Sequence, residues 1–389
     1  MSHERTEEPM SDEAISDSIE TTITTTELDV DETGRRLAAW LGARLGDGAA
    51  PEITNLRRPE GSGMSSISVL FDLAWTEGGE RQERAMVARL APEAAALPVF
   101  PGYDLQAQFD AMRAVREHTA APVPRVRWIE TSPEALGTPF LVMDQVAGAV
   151  PVDNPPYVFG GWLSEMSADE QAAVQETSVR MLAAVHTITD PVAVLPGLAP
   201  SASGGSLREH FARERDYYEW TRRDDALSIP CLERSFAWLE ENWPEQPSPD
   251  VLCWGDARIG NIMFDGTEAV AVLDWESAAI APREVDLGWF IFFHAQFQMI
   301  ADFFEMPGLP HLFRRDDVVA AYERLTGTTV RDLDWHLLYA ALRHGIVMSQ
   351  ITRRRIHFGE IEAPTDLDEY VMHHPMINAL LAGTYSWES

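Results

Sequence analysis

The chain is short of cysteine, of positive charge and of long apolar runs. Among its 389 residues only Cys231 and Cys253 are cysteines. Two thiols make neither a disulfide framework nor a metal-ligand set, and Cys253, inside the apolar run VLCW, reads as a buried thiol. Lysine and arginine together number 30 against 62 aspartates and glutamates, a formal net charge of -32 with a pI near 4.6. Such a field repels polyanions and disfavours nucleic acid and anionic membranes as partners, although acidic surfaces also serve solubility alone. The most apolar stretch, VDLGWFIFFHAQFQMI, is broken by Asp286 and His294 and is too short to span a bilayer. No basic start followed by an apolar core is visible at the N-terminus, the pattern expected of a cytoplasmic protein.

What is present is ordinary globular composition, 45% hydrophobic and 24% charged, in a chain long enough for more than one lobe. Residues 1–33 are acidic and Ser/Thr-rich and read as a mobile tail. A short amphipathic helix is predicted from RRLAAWLGARLG, with Leu37, Trp40, Leu41 and Leu45 on one side. SSISVLFDLAW and RAMVARLAP alternate like strands around the turn TEGGE. DLQAQFDAMRAVREHT is helical, and PFLVMDQVAG is a strand running into a Gly-ended connection. Beyond it long helical patterns take over, including QAAVQETSVRMLAAVHTI, DVVAAYERLTG with its glycine stop, and DLDWHLLYAALRHGIVMSQI. The expected class is α+β, with a β-rich small lobe over 34–145 and a larger helical lobe over 146–389.

One stretch in the second half departs from helix: VLCWGDARIGNIMFDGTEAVAVLDWE, Val251 to Glu276. VLCW, IMF and AVAVLDW read as strands, and Asp265-Gly266 is a strong hairpin signal. Folding the hairpin brings Asp274 back toward the glycine-spaced loop that carries Asp256 and Asn261. Three oxygen-bearing side chains then meet at one end of a small sheet. A carboxylate to accept a hydroxyl proton, with hard oxygen ligands for Mg²⁺, is a set that phosphoryl transfer uses. The same residues also suit a plain turn, with Asp256 making it and Asn261 capping it.

WGDARIGNIMF followed by VLDWE resembles the HGDxxxxN and DWE motifs of the aminoglycoside phosphotransferases and choline kinases, small-molecule kinases with a protein-kinase-like two-lobe fold. APREVDLGWFIFF, LAAVHTI and LVMDQVAG are similar to further elements of that family. The segment from PGLPHLF to RHGIV resembles the subgroup related to the kinase domain of acyl-CoA dehydrogenase family members 10 and 11. The likeness covers roughly residues 35–360. It implies Asp256 as the catalytic carboxylate, Asn261 and Asp274 as Mg²⁺ ligands, and Asp286 as a buried brace of the loop through backbone N–H groups. It implies an adenine-holding connection at Met143, Asp144, Gln145 and Val146. It implies a loop over the ATP phosphates in EGSGMSS, with Ser62, Gly63, Ser65 and Ser66.

The chain departs from that family in three places. Arg89 stands where a phosphate-contacting lysine is usual, and a guanidinium has a different reach from an ammonium. Gln108 aligns with the glutamate that usually pairs with it. Trp254 replaces a histidine and suits a brace stacked near Trp275, its indole N–H on a carbonyl. Arg258 is placed either to offset charge on the transferred phosphoryl or acidic substrate, or in a salt bridge with Glu276 or Asp286.

The expected activity is therefore ATP- and Mg²⁺-dependent phosphorylation of a hydroxyl on a small molecule. Aromatic residues after position 150 (Tyr157, Phe159, Trp162, Tyr217, Tyr218, Trp220, Phe293, Phe297, Phe303, Phe304) favour a largely apolar metabolite or natural product as acceptor. The alternatives are phosphorylation of an aminoglycoside or other antibiotic, and a nucleotide-binding pseudokinase or interaction module.

Overall fold

Alternating burial along one long strand, Ile67–Glu77, marks a sheet in the N-terminal third with two different faces. A computed structural model describes residues 29–46, 48–59, 67–92, 97–201 and 204–387. Helix α1 (Val30–Leu45) begins five residues before the helix read from the sequence, because Asp29 caps it by accepting the Glu32 N–H at 2.9 Å. Strands β1 (Glu52–Arg57), β2 (Ile67–Glu77) and β3 (Glu80–Leu90) follow, then helix α2 (Leu105–His118) and strands β4 (Val126–Glu130) and β5 (Phe140–Asp144). The five strands pair antiparallel in the order β1-β2-β3-β5-β4.

Val69, Phe71, Leu73 and Trp75, every second residue of β2, lie with Met86, Ala88 and Leu90 of β3 under Leu37 and Leu41 of α1. The other face meets Leu105 and Phe109 of α2 through Leu141 and Met143. The remainder of α2 (Ala111, Met112, Ala114, Val115) packs into a second core shared with the helical part of the chain.

That part contains α3 (Ala168–Val185), α4 (Ser206–Thr221), α5 (Pro230–Glu241), four short strands, α6 (Glu284–Phe303), α7 (Arg315–Thr326), α8 (Leu333–His357) and α9 (His374–Leu381). Helix α3 starts with a capping box between Ser167 and Glu170, and α7 ends on Gly327 at φ 68°. The apolar run over α6 is buried inside the protein, and among the described residues no helix is long and apolar enough to cross a membrane.

The short strands differ from the single small sheet expected from the sequence. β6 (Asp250–Cys253) pairs with β9 (Ala279–Pro282), and β7 (Ile262–Asp265) pairs with β8 (Glu268–Val272), as two separate ladders. β8 also stops before Leu273 and Asp274, since Asp274 takes φ 58°, outside strand geometry. The hairpin is tied to the rest of the fold at two points. Ala149 and Phe264 exchange backbone hydrogen bonds of 2.9 and 2.8 Å, and Val272 N–H donates to the Pro122 carbonyl at 2.8 Å.

Candidate active site

The loop from Trp254 to Asn261 is shaped by one glycine and one buried acid. Gly255 has φ 90°, and a Cβ there would stand 2.0 Å from the Ser277 carbonyl oxygen, so only glycine fits. Asp286, in the first turn of α6, is fully buried and accepts the backbone N–H groups of Trp254 (2.6 Å) and Gly255 (2.8 Å). His186 Nε2 lies 3.0 Å from the same carboxylate and its Nδ1 lies 2.7 Å from Tyr322 Oη. With Asp286 accepting, Nε2 carries a proton.

Trp254 is fully buried. Its indole N–H reaches the carbonyls of Leu273 (2.8 Å) and Asp274 (3.1 Å), and its ring lies 6.1 Å from that of Trp275. The tryptophan thus ties the loop to the left-handed turn that presents Asp274. Leu273 N–H donates to the Asn261 carbonyl at 2.8 Å and closes the same junction from the other side.

Asp256 is held by three side chains. Asn261 Nδ2 donates to Oδ2 at 2.6 Å, Trp289 Nε1 to Oδ1 at 2.8 Å, and Arg258 Nε to both oxygens at 3.1 and 3.0 Å. With its amide N–H also on the Asp256 carbonyl at 3.0 Å, Asn261 keeps its Oδ1 for another partner.

Arg258 pairs with Asp153 and Asp256, not with Glu276 or Asp286 as the sequence suggested. The reason is reach: Asp286 is committed beneath the loop, while Asp153 approaches from the segment after the connector. Burial acts to lower the Arg258 guanidinium, but Asp153 and then Asp256 outweigh it and hold it above the usual arginine range. A small cleft beside Arg258 is walled by Tyr157, Phe293, Phe297 and Phe313. Of the aromatic residues expected around an acceptor, Tyr157, Phe293 and Phe297 are in this cleft. Tyr217 and Tyr218 belong to a different core, and Phe303 is 81% exposed.

Arg89 donates to Asp274 Oδ1 at 2.6 Å and to Glu276 Oε2 at 3.3 Å. Burial works to lower this guanidinium too, and Asp274 followed by Glu276 raises it overall. These partners come from the hairpin side of the cleft, while Gln108 is buried on α2. At the connector, Met143 is paired between Val87 and Val126, and Asp144 is bound through its side chain to Arg127. Gln145 N–H is bonded to the Ala85 carbonyl at 2.9 Å, and the Val146 N–H makes no hydrogen bond among the described residues. Ser62, Gly63, Ser65 and Ser66 lie outside the described residues.

An amide oxygen on Asn261 and a carboxylate on Asp274, at one backbone junction, are hard donors of the kind that suit Mg²⁺. The donor chemistry of these two residues therefore fits a divalent ion.

Three residues at the site escaped the sequence reading. Trp289 sits three positions after Asp286 on α6, so the helical period could have placed it near the loop. Asp153 and Arg343 gave no such signal. Arg343, buried on α8, donates to the Gly255 carbonyl at 3.2 Å and to Glu214 at 3.1 Å, with its guanidinium 4.4 Å from the Trp289 ring centre.

A family model described as the phosphotransferase enzyme family matches residues 73–336. Acyl-CoA dehydrogenase family member 11 of Homo sapiens is 25% identical over 264 residues, 65% of this chain and 31% of that protein. The probable acyl-CoA dehydrogenase IBR3 of Arabidopsis thaliana is 25% identical over 215 residues, 52% of this chain and 25% of that protein. The chain thus spans a third or less of the length of these relatives. Among solved structures, a Ralstonia eutropha protein described as a candidate aminoglycoside phosphotransferase superposes with TM-score 0.63 at 21% identity, covering 90% of this chain and 97% of that one. Plasmodium vivax ethanolamine kinase gives TM-score 0.56 at 13% identity, covering 87% of each chain. Matched across more than half its length, the chain belongs to the phosphotransferase enzyme family, whose members are small-molecule kinases that act on hydroxyl groups.

Proposed function

We propose that the protein transfers the γ-phosphoryl group of ATP to a hydroxyl on a small, largely apolar molecule. The observation that carries this reading is the carboxylate of Asp256, buried to about four-fifths and fixed by Asn261, Arg258 and Trp289 beside an aromatic cleft. In this reading Asp256 orients the acceptor hydroxyl and takes its proton as the phosphoryl group departs from ADP. Arg258 sits against Asp256 and offsets negative charge gathering on the transferred group. Asn261 and Asp274 would hold Mg²⁺, which when bound neutralises β- and γ-phosphate oxygens. In the same reading the backbone at Val146 would hold adenine, and Arg89 would meet the phosphates.

Nucleotide use by fold neighbours supports ATP. One such neighbour is an aminoglycoside phosphotransferase solved in a ternary complex with ADP and hygromycin B, at TM-score 0.52 and 16% identity. The cleft favours an apolar acceptor over an aminoglycoside. Its walls are aromatic, and its carboxylate, Asp153, is already paired with Arg258 instead of joining an acidic set for cationic sugars.

The test is a screen of hydroxylated metabolites and antibiotics for ADP release, with Mg²⁺-dependent thermal stabilisation by ATP measured in parallel. Wild type should be stabilised by Mg²⁺ and ATP, and the Asp274→Ala variant should lose that dependence. Equal stabilisation of both proteins, with no phosphoryl transfer to any alcohol, sinks the kinase reading and leaves a nucleotide-binding module.

A further inference from the structure

The chain contains 30 basic residues, and every one of them is arginine. One of these, Arg89, reaches from β3 to the acid of the proposed metal site. Its NH2 group lies 2.6 Å from Asp274 Oδ1 and 3.3 Å from Glu276 Oε2, with all three side chains mostly buried. Asp274 is already fixed by the left-handed turn and by the Trp254 indole on its carbonyl, so the carboxylate does not leave the guanidinium by backbone drift. Two acids facing one guanidinium keep one net negative charge instead of two, so the guanidinium cancels half of the charge that would draw a metal. A dication arriving at Asp274 meets a cation already seated there, and the two repel.

We propose that Arg89 holds the place of the metal cation while nucleotide is absent, so that the free divalent ion binds weakly until polyphosphate draws the guanidinium away. This rests on the reading of Asn261 and Asp274 as metal ligands. Phosphate oxygens are strong guanidinium acceptors, so the nucleotide both supplies new partners for Arg89 and releases Asp274. Metal and nucleotide then bind with a coupling that depends on one side chain of the protein, beyond the chelation that they show in solution. Such coupling is reciprocal: what Arg89 withholds from the metal it also withholds from metal-free nucleotide, until the two arrive together.

The experiment titrates Mn²⁺ into the full chain without nucleotide and reads free Mn²⁺ by electron paramagnetic resonance. It compares wild type with Arg89→Met and, as a smaller polar change, Arg89→Gln. Circular dichroism and a cooperative melt qualify each variant as folded. The expected result is at least tenfold tighter binding of Mn²⁺ alone in whichever variant folds. Affinity for Mn²⁺ with AMP-PNP should fall in the same variant. Mn²⁺ binding no tighter than wild type in a folded variant overturns the proposal.

A separate arm compares binding of Mn²⁺ with AMP-PNP to wild type and to Asp274→Asn. If the aspartate change leaves that affinity untouched, the metal reading itself fails and this inference falls with it. If it weakens binding while the Arg89 variants leave free Mn²⁺ binding unchanged, only the exchange at Arg89 is wrong.

Discussion

Asp256 receives hydrogen bonds from three side chains, two on its own loop, Arg258 and Asn261, and one on α6, Trp289. Replacing it by asparagine keeps size and most polarity but removes the proton acceptor. Turnover of Asp256→Asn should fall by roughly a hundredfold or more, the range of general-base losses, while ATP affinity by calorimetry stays near wild type. Normal turnover would remove Asp256 from its role. Trp289→Phe removes a single N–H donor from the same carboxylate. A hydrogen bond to a charged group is worth about 1.5–3 kcal/mol, so kcat should drop roughly tenfold to a hundredfold with KM for ATP nearly unchanged. A parallel rise in KM would mean that Trp289 mainly shapes the pocket.

Among the elements, the Trp254–Asn261 loop depends on Gly255. A methyl group there meets a backbone carbonyl oxygen, at a φ that alanine adopts only with strain. Gly255→Ala should cost about 3 kcal/mol or more in urea unfolding, and an unchanged midpoint would contradict the described contact. The elements differ in how far the sequence reveals them. The β7–β8 hairpin is legible because Gly266 supplies turn chemistry locally, but the register differs from the Asp265-Gly266 turn expected: Asp265 pairs with Glu268 as the last residue of β7, and Gly266 with Thr267 makes the two-residue loop. The partner of β6 is not legible, because β9 lies beyond the hairpin and nothing local in Asp250–Cys253 names it. Asp286 as a brace follows from the resemblance, and the structure shows its two N–H donors. Asp153, Arg343 and the link from Arg89 to Asp274 join residues about 100 or more positions apart in two cases, 105 and 185, where periodicity carries no information.

At the scale of the whole molecule, burial and charge set the response to pH. His294, His336 and His373 are buried, and desolvation pushes each down to about 4. Their folded values lie below the unfolded value near 6.5, so on acidification the unfolded chain takes up protons first. Stability is full above about pH 6.5 and falls as pH drops toward 4, by roughly 1.4 kcal/mol per pH unit for each histidine. Urea midpoints measured between pH 7 and 5 should decline steeply, and a flat profile would contradict these buried neutral rings. With a net charge of -32, added salt should also raise the melting temperature at pH 7 by screening self-repulsion.

The split of α2 between cores has a mechanical consequence. Half of this helix packs with α3 and the hairpin, and the segment just beyond it is bonded to β8 through the Pro122 carbonyl. The sheet and α1 enclose a core of their own. Helix α2 therefore bridges the two, holding the sheet through Leu105 and Phe109 and the helical part through its second half. The Arg89–Asp274 pair spans the same junction, so under the exchange proposed at Arg89 a nucleotide would also loosen the tie between the sheet and the hairpin turn.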